Sequence, residues 1–203
     1  MRALALAAIA AFVFAGAADA RPWTDPNGRV TFDSPAGWTV QPDARPTQLT
    51  YVITAIGNAE CHVVGQPNGN ASIPPARVRA AGAEDTRFDA ATWTRILNGL
   101  FPEVFPNASA QVTATSKDTT GFWPIQTATV TAGDQTVHAA MQIRPGFDLI
   151  AVCMTFAGPD QIDRFNTFFH SIGNPHDAEW QAAAASAAPA ATTPAPAPAP
   201  AAH

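Results

Sequence analysis

Basic charge is what this 203-residue chain has least of. Lys117 is its one lysine, its eleven cationic side chains face 16 acidic ones, and the formal net charge is −5. Electrostatic binding of nucleic acid needs a dense basic face, and such a composition excludes it. A polybasic patch for an anionic membrane surface is excluded on the same ground. The lone lysine sits outside any GxxxxGK[ST] string, which removes a Walker-type phosphate loop, and it leaves Schiff-base chemistry unsupported. Also missing are HExxH, GxSxG and CxxC strings, the local signatures of zinc proteases, α/β-hydrolases and dithiol redox centres.

Cysteine is nearly as scarce, with Cys61 and Cys153 the only two. An even count in an exported chain suits a disulfide. Two buried free thiols, packed as small apolar groups, are the alternative. A bridge over that span would constrain the unfolded chain by about 4–5 kcal/mol.

What is present begins with Arg2 and an almost unbroken apolar run from Ala3 to Ala18, followed by Ala18-Asp19-Ala20. This is the pattern of a cleaved signal peptide over residues 1–20, with a mature start at Arg21. The run is shorter than the roughly 20 apolar residues of a spanning helix, and no cysteine follows the cut to carry a lipid, so no stable membrane anchor is expected. The protein is expected to be periplasmic or secreted. Residues 21–175 fit one domain. Residues 176–203 form an Ala/Pro-rich tail, with a weak helical extension over 177–187 and an extended, disordered Pro-Ala string from Pro189.

Within the domain, Arg29 to Asp33 alternates as a strand. The Ser34-Pro35-Ala36-Gly37 turn leads to Trp38 and Val40, suggesting a hairpin. Strands follow over 48–56 and 60–65, then a loop by composition from Pro67 to Pro75. Asp89 caps a helix whose stripe is Trp93, Ile96, Leu97 and Leu100, with Phe88 positioned as a hydrophobic staple. Strands recur over 111–116, 122–131, 136–144 and 147–156. The last is apolar on both faces, which requires covering layers above and below its sheet. Gly158-Pro159-Asp160 opens a final helix with Ile162, Phe165, Phe168, Phe169 and Ile172 buried. Gly173 supplies a left-handed cap.

The string Val30-Thr31-Phe32-Asp33-Ser34-Pro35-Ala36-Gly37-Trp38, read with the Phe165 to Ser171 stretch, resembles the PsbP-like family. That family is named for an extrinsic subunit of photosystem II and has bacterial periplasmic relatives. The resemblance covers residues 28–173. It implies an α+β fold, an antiparallel sheet covered by helices on both faces as an α/β/α sandwich, which is shared with a small factor that binds the Ran GTPase. It also implies a binding or assembly accessory, with no catalytic residue to carry over.

Chemistry has few candidates. Cys61 and His62 are neighbours on a strand and point to opposite faces, so they cannot form a dyad. His170, His176, Asp177 and Glu179 form one loose cluster and Asp134 with His138 another, neither at a recognised metal spacing. No catalytic residue, metal site or cofactor is therefore assigned. The expected function is a non-catalytic accessory that binds a protein or cell-envelope component. Its expected contact surface is the loop from Pro67 to Ala83 with Arg77 and Arg79, joined to a sheet-edge polar face at Thr136, His138 and Gln142. An envelope hydrolase assembled from distant residues, or a structural stress-related protein, is the rival.

Overall fold

The computed structural model describes residues 20–43, 49–84 and 88–187. The export segment up to Asp19 and the Pro-Ala string lie outside these residues. The first elements are β1 (Arg21–Thr24), β2 (Thr31–Ser34), β3 (Thr39–Asp43), β4 (Thr50–Ile56) and β5 (Ala59–Pro67). Two helices follow, α1 (Pro75–Glu84) and α2 (Ala90–Leu100). Then come β6 (Gln111–Asp118), β7 (Ile125–Ala132), β8 (Gln135–Arg144), β9 (Phe147–Thr155), α3 (Ile162–Ser171) and α4 (Asp177–Ser186).

The seven strands from β3 to β9 form one antiparallel sheet in the order β3-β4-β5-β9-β8-β7-β6. Two meanders, β3-β4-β5 and β6-β7-β8-β9, therefore meet at a central β5–β9 seam. The crossover between them carries α1 and α2. At the seam Cys61 stands opposite Cys153, with their Cα atoms 4.1 Å apart, and the two are joined by a disulfide.

β9 is covered from both sides, as its double apolar pattern requires. Leu149, Ala151 and Cys153 pack with Phe165, Phe168, Phe169 and Ile172 of the α3 layer, and Ile150, Val152 and Met154 pack with Trp93 and Leu97 of α2. Each layer buries apolar side chains on its side of the sheet, and such burial stabilises by roughly 25 cal/mol per Å² of apolar area. Asp89 caps α2 by accepting the Thr92 N–H at 2.8 Å, and the Phe88 and Trp93 rings lie 6.0 Å apart across the staple. On the α3 face, Val30 of the β1–β2 ribbon sits directly over Gly65. A Cβ at position 65 would come within 2.4 Å of Val30 Cγ2, so only glycine fits there.

Several details differ from the sequence expectation. β2 pairs with β1 in a separate two-stranded ribbon, while β3 joins the main sheet, so the Pro35-Ala36-Gly37 turn passes between sheets and closes no hairpin. The compositional loop does end at Pro75, but the stretch from there to Ala83, taken into the contact loop, is α1, whose first residue Pro75 costs no helical hydrogen bond. β7 begins at Ile125, α3 begins at Ile162 after a Gln161 cap, and Pro159 lies outside the helix. Phe156 lies beyond β9 and is 47 % exposed. Gly173 has no positive φ; it bridges Thr31, and a Cβ there would meet Asp177 Oδ2 at 2.8 Å, so close approach selects it. The body also continues past residue 175. α4 packs against α1.

The outer strands are irregular. β6 shifts register against β7 between Val112 and Ala114, and β3 carries Pro42. No helix among the described residues is long and apolar enough to cross a membrane.

Candidate functional site

β8 turns Ala140, Gln142 and Arg144 toward the α3 layer. Arg144, its last residue, is only 2 % exposed. Its guanidinium is held on one edge by Asp177 of α4, with Nε donating to Oδ1 at 2.7 Å and Nη2 to Oδ2 at 3.2 Å. Nη2 also donates to Gln142 Oε1 at 2.7 Å, while Gln142 Nε2 is committed to the Phe169 carbonyl at 2.8 Å. Asp177 is the first residue of α4, where the helix dipole favours a carboxylate. It accepts the Asn174 N–H as well, at 3.2 Å. The guanidinium lies 4.7 Å over the Trp123 ring, and Trp180 of α4 meets that ring edge-on at 6.3 Å. Burial pulls the Arg144 pKa below its ordinary value, against the opposing pull of Asp177. A guanidinium nevertheless stays cationic.

Two donors are left over. Among the described residues, Arg144 Nη1 and Trp123 Nε1 are buried without a hydrogen-bond partner. Both residues line a cavity of about 270 Å³ whose rim includes Phe122, His170, Asn174 and Gln181. Unpaired buried donors are costly, so their natural complement is an acceptor group that enters the cleft. Arg79 of α1 braces the rim, donating to the Phe122 carbonyl at 2.8 Å with its guanidinium 4.8 Å over that ring.

The histidines are paired elsewhere. His62 lies between Tyr51, 2.5 Å from Nδ1, and Glu60, 2.8 Å from Nε2, while Tyr51 also bonds Glu103. Cys61 faces the other side of the sheet in its disulfide, as strand alternation requires. His138 Nε2 meets Asp160 at 2.7 Å, His170 meets Asp118 at 3.0 Å and His176 meets Glu179 at 3.1 Å. Neither loose cluster converges: His170 and His138 turn to Asp118 and Asp160 outside them, Asp177 takes Arg144, and only His176 and Glu179 pair within one. No group of three or more His, Cys, Asp or Glu side chains among the described residues could hold a metal.

The expected contact surface is not continuous. Arg77 and Arg79 are exposed on α1, which the expectation had placed in a loop, and α1 abuts α4. Thr136 is exposed at the other end of β8, about 27 Å along the strand from Arg144. His138 and Gln142 are buried, because β8 lies between β9 and β7 rather than at a sheet edge, and α3 covers that face. Sequence reasoning missed Arg144, Trp123 and Asp177 as a unit. The one available signal was the placement of Gln142 and Arg144 on the same β8 face as Ala140.

No family model matches this chain, and no curated protein matches it. Solved structures do. Cyanobacterial PsbP (CyanoP) from Synechocystis aligns with a TM-score of 0.50 at 14 % identity, covering 79 % of this chain and 95 % of that one. A protein from Bacteroides thetaiotaomicron aligns with a TM-score of 0.44 at 11 % identity, covering 79 % of this chain and half of its own. At 14 % identity the likeness to CyanoP is one of fold, and the fold is PsbP-like.

Proposed function

We propose that this PsbP-like chain is an exported accessory protein of the bacterial periplasm that binds a protein or cell-envelope component and is not an enzyme. The observation that carries the reading is the pair of uncommitted donors, Arg144 Nη1 and Trp123 Nε1, at the base of the α3-side cleft. Because Asp177 and Gln142 fix the guanidinium, the donors are pre-organised, and binding costs little side-chain entropy. Asp177 already balances the Arg144 charge, which favours a neutral acceptor such as a main-chain carbonyl over a second carboxylate. Export is supported by Arg2, the apolar run and Ala18-Asp19-Ala20. A bridged Cys61–Cys153 suits an oxidising compartment.

The test is photo-crosslinking in intact cells from Gln181 or Phe122 at the rim, with Thr136 as the distant control. A recurrent adduct from the rim and none from Thr136 is expected; equal labelling at all three positions refutes the assignment. Export is checked by mass spectrometry of the periplasmic fraction for an N-terminus at Arg21.

A hydrolase reading has one observation in its favour. His170 and Asp118 are in contact and line a hollow of about 310 Å³ that also includes Ser116. The Asp118 carboxyl is held below its ordinary pKa, chiefly by the Thr120 N–H and hydroxyl and then by His170, as an imidazole-orienting group would be. Ester hydrolysis lost in His170→Ala would favour this alternative.

A further inference from the structure

A third cavity, of about 500 Å³, opens on the opposite side of the sheet, between α2, the loop after β5 and the ends of β8 and β9. Its apolar lining comes from Phe88 and Ile96 on one side and from Met141 and Ile143 of β8 on the other. Asp148 of β9 contributes a carboxylate to this lining, with Gln66 and Ile143 as its cross-strand neighbours.

This carboxylate is rigidly placed and, among the described residues, lacks a paired counter-charge. Asn68 Nδ2 donates to Asp148 Oδ1 at 2.7 Å, and Asn68 is itself fixed by the Arg144 carbonyl at 3.1 Å and the Asn70 N–H at 2.8 Å. Oδ2 receives only a long bond, 3.4 Å, from Gln66 Nε2. No cationic side chain among the described residues pairs with Asp148. Arg95 also lines the cavity, but its charge acts on Asp89, which it helps to hold below the ordinary carboxyl pKa after the larger effect of the Thr92 hydrogen bonds. Burial pushes Asp148 the other way, above its ordinary value, against the two amide donors. A mostly apolar cavity with one half-buried carboxylate, paired with no cation among the described residues, is built for a group that brings both positive charge and hydrogen-bond donors. A hard metal ion needs six or more oxygens, which one carboxylate and neighbouring amides do not supply.

We propose that this cavity binds an organic ammonium, a primary amine carrying an alkyl or aryl body, with its N–H donors on Asp148 and its body against Met141, Ile143, Ile96 and Phe88. The site lies across the sheet from Arg144 and stands or falls independently of the accessory reading. The amine could be free or could be the lysine side chain of a partner, and the probes separate the two.

Methyl-labelled methionine gives a local readout in the full chain. Met141 lies in the cavity, and Met154, buried further along the same face on β9, serves as the internal reference. Hexylamine is expected to shift the Met141 methyl resonance in saturable fashion while Met154 stays still, with hexanol and hexanoate at least tenfold weaker. Asp148→Asn is expected to weaken hexylamine at least tenfold. Tighter binding of Nα-acetyl-lysine methylamide than of hexylamine would identify a partner's lysine, and the reverse order a free amine. Hexanol or hexanoate binding as well as hexylamine overturns the proposal without recourse to any variant. So does a Met141 signal that does not respond, or an Asp148→Asn protein that binds hexylamine unchanged.

Discussion

Reducing the Cys61–Cys153 bridge tests the fold where its two meanders join. The disulfide closes a span of 92 residues across the β5–β9 seam. Chain-entropy arithmetic for that span gives a loss of about 4.6 kcal/mol when the link is removed. For a body of this size, at about 3 °C per kcal/mol, the midpoint of thermal unfolding should fall by roughly 14 °C. The assay is urea unfolding followed by tryptophan fluorescence, comparing native protein with protein reduced in denaturant and refolded under reductant. Trp93 is fully buried and reports the loss of the α2 layer. The urea dependence should also steepen on reduction, because the unlinked denatured chain exposes more surface. A stability difference below about 1 kcal/mol would refute the reasoning. So would two free thiols detected in unreduced protein.

Three further outcomes follow from the packing. Asp177→Ala strips the buried Arg144 of its counter-charge and should cost about 3–5 kcal/mol in urea unfolding, with Arg144→Met added to it recovering most of the loss; a double variant no more stable than Asp177→Ala would contradict the pairing. Gly65→Ala drives a methyl into Val30 Cγ2 and should cost about 1–3 kcal/mol by calorimetry, less when Val30→Ala accompanies it; additive losses would show that the β1–β2 ribbon does not rest on that glycine. Burial raises the Asp148 pKa, so its contribution is complete below the ordinary value of 3.8 and is lost as pH rises through its higher folded value. The stability of Asp148→Asn relative to the parent should therefore rise with pH across that interval and level off above it. A flat or falling difference between pH 3 and pH 7 would refute the burial argument.

Local periodicity carried much of the architecture. The doubly apolar run at 147–156 required two covering layers, and the stripe through Phe165, Phe168 and Phe169 supplied one of them. Asp89 and Trp93 fixed the start of the other, because capping is decided by residues within one turn. Alternation along Thr136 to Arg144 separated the two faces of β8 but could not say that both are covered. The polar face is buried because distant residues satisfy it: Asp160 for His138, the Phe169 carbonyl for Gln142 and Asp177 for Arg144. Those partners lie 22 to 33 positions away, beyond the reach of any local pattern. The cysteine pair was open for the same reason, since only the β5–β9 register sets Cys61 against Cys153.

The irregular rims of the main sheet bear on how the molecule can associate. On one side Pro42 removes a backbone donor, and on the other the bulge at Val112 to Ala114 breaks the even spacing of the ladder, with Lys117 further along the same strand. A second chain attempting strand addition meets a missing N–H at one rim and a kinked, charged ribbon at the other. Growth of the sheet beyond seven strands is disfavoured at both rims, so strand addition is a poor route for two copies of this body to associate.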